Sequence, residues 1–205
     1  MRIQRAYAVP DIRSEEGSGI VQGHAAVFDQ RANIGGWFEE VIERQAFAQT
    51  DFRDVVMTIN HNLRSIPLAR SRNNNANSTL QLSVDDIGLM TRANLDTENN
   101  SEAKALHSSV GRGDITGMSF IFIIRDYKWE NLDSDLPLRR ITSIARVIEV
   151  SAVSFPAYAG TDIYARDQQA LESAKATLES ARSSLESDKS EFEILRLRAQ
   201  ILAKG

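Results

Sequence analysis

The chain has 205 residues, a formal net charge of −4 and a pI near 5.5, which argues against a broad electrostatic contact with nucleic acid. It contains no cysteine, which excludes disulfides, thiolate metal sites and a cysteine nucleophile, and suits a reducing cytoplasm. No apolar run of about 18 residues is present, so no membrane-spanning helix is predicted. The charged first five residues are not followed by an apolar segment, so no secretory signal is expected.

Residues 1–165 are predicted to form one compact, strand-rich domain. The apolar segment Ile20–Phe28 is typical of a strand, and Asn33–Gly36 has the composition of a turn. The segment Val41–Gln49 is expected to hold a short helix. The local basic pair Arg139-Arg140 is interpreted as solvated surface rather than as a phosphate-binding site.

A clear two-residue alternation marks the segment Arg53–His61 as a strand. Its apolar residues Val55, Met57 and Ile59 recur at every second position, and His61 continues the series. The pattern therefore predicts that His61 shares their face and lies at the rim of a sheet.

Further strands and one helix follow in the second half of this domain. The predicted elements are a polar loop over 73–77, a hairpin of 80–84 and 89–95, a helix over 101–110, a central strand over 118–125, a polar loop over 131–137 and one or two strands over 141–155. Many strands and few helices indicate an α+β fold with mostly antiparallel strands. We expect a closed or strongly curved, barrel-like sheet with peripheral helices.

Residues 166–205 contain a seven-residue repeat that predicts a long C-terminal helix. Position a holds Leu171, Leu178, Leu185 and Phe192, and position d holds Ala174, Ala181, Asp188 and Leu195. A strict seven-residue period is typical of a coiled coil or of a helix with an antiparallel partner. The alternative is a single solvated helix that packs on the domain.

Three histidines are candidates for chemistry, and their surroundings differ. His24 lies in a predicted strand and His107 on a predicted surface helix, so both are interpreted as structural or merely exposed. His61 ends an apolar strand between two asparagines, where an imidazole has polar neighbours and can act as a near-neutral base.

Two polar residues interrupt apolar strands. Ser119 lies in the predicted central strand two residues after a glycine, and is either a nucleophile or a small packing residue. Glu149 lies in an apolar strand, where an unpaired carboxylate would be costly. It would be satisfied either by a protonated histidine or by an arginine such as Arg140 or Arg146.

Five short motifs occur in order along residues 20–165. They are Gly23–Phe28, Phe38–Ile42 with Ala46-Phe47, Asn60–Asn62, Gly117–Phe120 and Glu149–Ala157. Together they resemble the tailed-bacteriophage prohead maturation proteases, a serine protease family related in fold to the herpesvirus assemblins. The resemblance implies that Ser119 is the nucleophile, His61 its general base and Glu149 the orienting acid, in place of the second histidine of assemblins.

The resemblance also implies a substrate and a location. The substrate would be the scaffolding segment of the phage major capsid protein, and the chain itself, inside an assembling prohead in the host cytoplasm. A homo-oligomer is possible, and no metal ion, organic cofactor, nucleic acid or membrane is required. Assemblins help to hold the oxyanion with an arginine pair after the third catalytic residue, whereas here no arginine follows Glu149 until Arg166. The oxyanion hole must therefore use backbone amides or arginines from elsewhere.

Two other classes of function stay open at this point. A non-enzymatic capsid assembly scaffold with a degenerate protease domain would suit the helical tail. A metallohydrolase using His24, His61 and His107 is disfavoured, because these residues lack the short spacing that is typical of metal ligands.

Overall fold

A computed structural model describes residues 2–7, 11–154 and 168–202. The expected strand end at Phe155, the arginine Arg166 and the domain boundary at 165 lie outside these ranges. Within them the chain forms β1 (Arg2–Tyr7), β2 (Arg13–Ser14), β3 (Ile20–Val27), β4 (Ala32–Ile34), β5 (Phe38–Ile42), β6 (Asp54–Ile59), β7 (Ala69–Arg72), β8 (Leu80–Val84), β9 (Gly88–Asn94), α1 (Ser101–Gly111), β10 (Gly117–Glu130), β11 (Leu138–Val153) and α2 (Gln168–Leu202).

The larger sheet has the strand order β1-β10-β11-β5-β4, and β6 joins it by pairing with β11 and β7. β10 is central, as its apolar sequence predicts, because β1 and β11 both pair with it antiparallel. β11 is long enough to pair in parallel with β5 over residues 138–141 and with β6 over residues 149–152. The second half of β11 therefore joins β10 to β6, and this junction positions the site described below.

The smaller sheet has the order β2-β3-β9-β8 and includes the predicted hairpin of β8 and β9. Apolar residues of both sheets, among them Ala26, Leu89, Phe120 and Val150, pack into one buried core. The mixed α+β class with mostly antiparallel strands is as expected. Among the described residues the strands form these two sheets and no closed barrel, so the barrel stays a prediction.

The short helix predicted over Val41–Gln49 is wrong. Val41 and Ile42 complete β5, which is hydrogen-bonded to β4 and β11. Residues 44–49 form turns in which Ala46 N donates to the Glu43 carbonyl and Ala48 N to the Gln45 carbonyl, an i to i+3 pattern. Because Val41 and Ile42 are β-branched and pair within the sheet, the residues that follow are too few for an α-helix.

The interpretation of the arginine pair as solvated surface is also wrong for Arg139. Its guanidinium is fully buried, forms an ion pair with the buried carboxylate of Glu40, and lies 4.8 Å from the ring centroid of Phe38. Arg140 is half-buried and donates to Glu43 at 2.9 Å. The local sequence does not reveal this ion pair, because only the pairing of β11 with β5 brings Glu40 beside Arg139.

The first half of α2 packs against the domain. Leu171, Ala174 and Leu178 are buried in a second apolar cluster with Ile34 and Phe38. These three leucine and alanine positions belong to the heptad stripe, so here the stripe contacts strands β4 and β5 instead of another helix. This packing agrees with the alternative of a helix that covers the domain.

The second half of α2 differs in its exposure. Lys189 still reaches Asp133 of the domain at 3.0 Å, but Phe192, Leu195 and Leu197 beyond it are exposed. A coiled coil formed by this distal part stays a prediction. None of the helices in the described ranges is long and apolar enough to span a membrane.

Candidate active site

Three neighbouring strands bring polar side chains to one face of the larger sheet. Ser119 of β10 lies opposite Ser151 of β11, and Ser151 lies beside Thr58 of β6. Glu149 precedes Ser151 by two residues and therefore shares its face. Met118 and Phe120 point to the opposite face, where they join the core. The register of β10, β11 and β6 thus assembles a polar cluster that no single strand contains.

His61 completes this cluster because the chain turns sharply after β6. Both Asn60 and His61 have left-handed backbone conformations, with φ values of 49° and 57°. Such values are uncommon for residues with a side chain, although asparagine and histidine accept them more readily than most. The Asn60 N–H donates to the Ala152 carbonyl at 3.0 Å, and the His61 N–H donates to Ser151 Oγ at 3.0 Å.

This turn overturns one expectation. Alternation predicted that His61 would share the face of Val55 and Met57, but these two residues face the core. The imidazole of His61 instead contacts Glu149, whose carboxylate also contacts Thr58 on the other face. Two consecutive left-handed residues break the two-residue period of the strand, and alternation alone does not predict them.

The candidate residues form one continuous hydrogen-bonded chain. Ser119 Oγ lies 2.5 Å from His61 Nε2, and His61 Nδ1 lies 2.7 Å from Glu149 Oε2. An ionised carboxylate only accepts hydrogen bonds, so Nδ1 carries the proton of the neutral imidazole. Nε2 is then left as an acceptor for the hydroxyl of Ser119. This is the arrangement in which a histidine can remove the proton from a serine.

The cluster is shielded from water. Ser119 and Glu149 are fully buried, and the side chain of His61 is 5% exposed. Electrostatic interactions are stronger in such a site than in water. The hydroxyl of Ser119 therefore does not face solvent in this arrangement.

The carboxylate of Glu149 has the partners that its burial requires. Thr58 Oγ1 donates to Glu149 Oε1 at 2.5 Å, and His61 Nδ1 donates to Glu149 Oε2. Of the arginines considered as alternative partners, Arg140 pairs with Glu43 instead. The burial of a carboxylate is tolerated because both of its oxygens accept hydrogen bonds.

The other two histidines lie apart from this cluster. His24 is buried in β3 and contacts Asp11 through Nδ1 and Asp85 through Nε2, the latter at 3.0 Å. Burial alone would lower the pKa of His24, but the hydrogen bonds and charges of the two carboxylates outweigh it and raise the pKa above 6.5. His107 Nε2 lies 3.2 Å from the Glu15 carbonyl oxygen.

No group of three histidine, cysteine or acidic side chains suited to a metal ion occurs within residues 2–7, 11–154 and 168–202. His24, His61 and His107 each have a separate set of partners. The histidine-based metal centre considered from the sequence is therefore not assembled by this part of the chain.

Sequence reasoning missed two members of the cluster, Thr58 and Ser151. Both are buried strand residues with hydroxyl side chains, and such residues often serve only as small packing groups. The available signal was their position: Thr58 is the polar residue of an apolar stretch of β6, and Ser151 follows Glu149 by one strand period.

Comparison with known proteins places the chain in a family. In structure it is similar to the bacteriophage T4 capsid assembly protease, gp21, with a TM-score of 0.41 and 8% sequence identity over 76% of this chain and 98% of that one. No curated protein sequence matches the chain. Residues 6–176 match the model of the caudovirus prohead serine proteases, and the chain belongs to that family.

Proposed function

We propose that this protein is a serine endopeptidase in which Ser119 is the nucleophile, His61 the general base and Glu149 the orienting acid. The observation that supports it best is the continuous chain of hydrogen bonds from Ser119 Oγ through the imidazole to Glu149, with distances of 2.5 and 2.7 Å. Membership of a serine protease family supports the same chemistry.

In the first half of the reaction, His61 Nε2 takes the proton of Ser119 as its oxygen attacks the carbonyl carbon of a peptide bond. The imidazolium that forms donates through Nδ1 to Glu149, whose negative charge stabilises it. The C–N bond then breaks, His61 Nε2 returns its proton to the leaving amine, and an ester joins the substrate to Ser119.

In the second half, a water molecule attacks the ester while His61 Nε2 removes one of its protons. The C–O bond to Ser119 breaks, and the serine oxygen recovers the proton from the imidazolium. The products are a free carboxyl group on one fragment and a free amine on the other, so no oxidant, metal ion or organic cofactor is needed.

The substrate that we propose is the scaffolding segment of the phage major capsid protein, followed by the protease itself. Cleavage would take place inside the assembling prohead, in the cytoplasm of the host. The family to which the chain belongs supports this assignment, since its members are prohead proteases.

We further propose that residues 1–165 form the catalytic domain and that residues 166–205 serve assembly. Because Leu171 and Leu178 pack on the domain, the part of the tail left for a partner is the distal part of α2. Its exposed apolar residues Phe192 and Leu195 support such a role. The scaffolding segment of the capsid protein is the partner that we favour, and a second copy of this tail is the next candidate.

Co-expression with the capsid protein of the same phage tests the proposed activity. Mass spectrometry should find the capsid protein cleaved by the wild-type chain and intact with Ser119→Ala, a loss on the order of a million-fold in turnover. Ser154→Ala, which removes a hydroxyl that contacts Asn60 instead of the imidazole, should still cleave. Cleavage by a folded Ser119→Ala variant would contradict the assignment, and an inactive wild-type chain would favour a scaffold.

A further inference from the structure

We infer that the hydroxyl groups of Thr58 and Ser151 are positioning groups that hold Glu149 and His61 in their reactive arrangement. The inference rests on the proposed function, because it assigns roles to residues that act through the proposed catalytic groups. Both side chains are almost fully buried, with exposures of 1% for Thr58 and 0% for Ser151.

Thr58 fixes the orientation of the carboxylate. Its hydroxyl donates to Glu149 Oε1 at 2.5 Å, which leaves Oε2 to accept from His61. The terminal torsion of a glutamate is broad, so a free carboxylate would sample several orientations. A hydrogen bond to an ionised acceptor is strong and short, and it selects one of them.

Ser151 fixes the backbone of the general base. Its Oγ accepts from the His61 N–H at 3.0 Å, and its own proton is donated to the Thr58 carbonyl at 3.1 Å. This contact holds His61 in the left-handed conformation with φ of 57° that turns the imidazole toward Ser119. Without the contact to Ser151, the backbone of His61 would be less restrained in this left-handed conformation, which residues with a side chain rarely adopt.

The two hydroxyl groups are in contact but donate to different acceptors. Ser151 Oγ lies 3.2 Å from Thr58 Oγ1, but its single proton is used by the Thr58 carbonyl. An ionised Glu149 has no proton to offer, so the Thr58 hydroxyl is the donor in their contact. Ser151 Oγ thus links the His61 N–H to the Thr58 carbonyl, while Thr58 Oγ1 holds the carboxylate of Glu149.

Two residues elsewhere in the chain offer matched controls. Thr91 is 2% exposed, and its hydroxyl donates to the Gly23 carbonyl at 2.8 Å in the smaller sheet. Ser71 is fully buried in β7, and its hydroxyl has no hydrogen-bond partner among the described residues. Thr91→Val and Ser71→Ala therefore repeat the substitutions that test Thr58 and Ser151, at equal burial but away from the imidazole.

The test compares full-length variants by the rate at which a fluorophosphonate probe labels Ser119, measured per folded molecule at probe concentrations where the rate is still proportional to concentration. Thr58→Val should lower the rate by about 10- to 100-fold, the range for a hydrogen bond to a charged group. Ser151→Ala should lower it by a similar factor, because it leaves the His61 N–H without its acceptor. Thr58→Ser, which keeps the donor, should stay within about three-fold of wild type. Thr91→Val and Ser71→Ala should react at the wild-type rate.

A second readout follows the proton between His61 and Glu149 by NMR, as the resonance of the Nδ1–H group. Thr58→Val should shift or broaden this resonance, Thr58→Ser should restore it, and Thr91→Val should leave it unchanged. If Thr58→Val does not fold, Thr58→Ala removes the same donor without adding a methyl group.

The outcomes separate this inference from the proposed function. A wild-type chain that is never labelled at Ser119 contradicts the proposed function, and the resonance then decides whether Thr58 positions the pair. Labelling at the wild-type rate by Thr58→Val and Ser151→Ala, with an unchanged resonance, would overturn the inference and leave the serine protease assignment standing.

Discussion

Replacing Glu149 by Gln should nearly abolish activity without destabilising the fold. The amide keeps the size of the side chain and can still accept one hydrogen bond, but it loses the negative charge that stabilises the imidazolium of His61. If its NH₂ group faces His61, the imidazole is also forced into the wrong tautomer for a base. From the loss seen when the acid of a serine protease triad is amidated, we expect turnover to fall by about 10⁴-fold, less than for Ser119→Ala.

The effect on stability should be small, because Glu149 is a fully buried charge without an arginine among its described partners. Removing that charge removes a desolvation cost, which offsets the weaker hydrogen bonds of the amide. The free energy of unfolding of Glu149→Gln should therefore stay within about 1 kcal/mol of wild type.

Glu40 provides the matched control, because it is also a fully buried glutamate but pairs with the buried guanidinium of Arg139. Glu40→Gln leaves that positive charge uncompensated, which costs about 3–5 kcal/mol. For a chain of this size the melting temperature should fall by roughly 10 °C. The folded fraction should retain normal turnover, since this pair lies where β11 meets β5, whereas the candidate site lies where β11 meets β6.

Denaturant unfolding and peptide turnover, measured on both variants, show whether Glu149 supports activity and Glu40 supports stability. Normal turnover by Glu149→Gln would show that another acid, or none, supports His61. Asp114, which precedes β10, and Asp126, which lies within it, would be tested next. A large loss of stability in Glu149→Gln would also contradict the reasoning, because the loss of activity could then come from unfolding.

Three further predictions follow from other parts of the molecule. Asp11 and Asp85 raise the pKa of His24, so the stability that its charged form contributes should be complete below about pH 6.5 and be lost as the pH rises through the raised pKa. The melting temperature of wild type should therefore exceed that of His24→Gln in acid and converge with it in alkali, and a constant difference would count against a charged imidazole. Leu178→Ala should lower the free energy of unfolding by about 2–3 kcal/mol, because Leu178 is 3% exposed, whereas Phe192→Ala should lower it by less than about 0.5 kcal/mol, because Phe192 at the same heptad position is 71% exposed. Equal losses in denaturant unfolding would show that the two halves of α2 do not differ in packing. Because Ser119, the proposed nucleophile, is buried, its labelling rate should reach a plateau at high probe concentration, where labelling outpaces reclosing and the rate equals that of opening. Labelling faster than the opening rate of β10, measured by amide hydrogen exchange, would show that no opening is needed.

Local patterns in the sequence predict most of the strands but not their partners. Alternation marks β6, and the apolar run of β10 predicts a central strand, because burial of one or both faces leaves a local trace. The pairing of Arg139 with Glu40 leaves no such trace, since it joins two strands far apart in the chain. The partner of the heptad stripe was ambiguous for the same reason: Leu171 has the same pattern whether it faces a helix or a sheet.

The candidate site shows the same division. His61, Ser119 and Glu149 are each unusual in their own segment, so they can be singled out as candidates from the sequence. The face of His61 could not be predicted, because it depends on two left-handed residues after β6. Thr58 was missed because its importance arises only from the register of β6 against β11.

Labelling with a fluorophosphonate probe, followed by peptide mapping, is the direct test of whether Ser119 is the nucleophile. We expect one labelled peptide carrying the modification on Ser119, with labelling lost in Ser119→Ala and strongly reduced in His61→Ala. Labelling of a different serine such as Ser154, or the absence of labelling in a folded wild-type chain that has been given time to open, would contradict it.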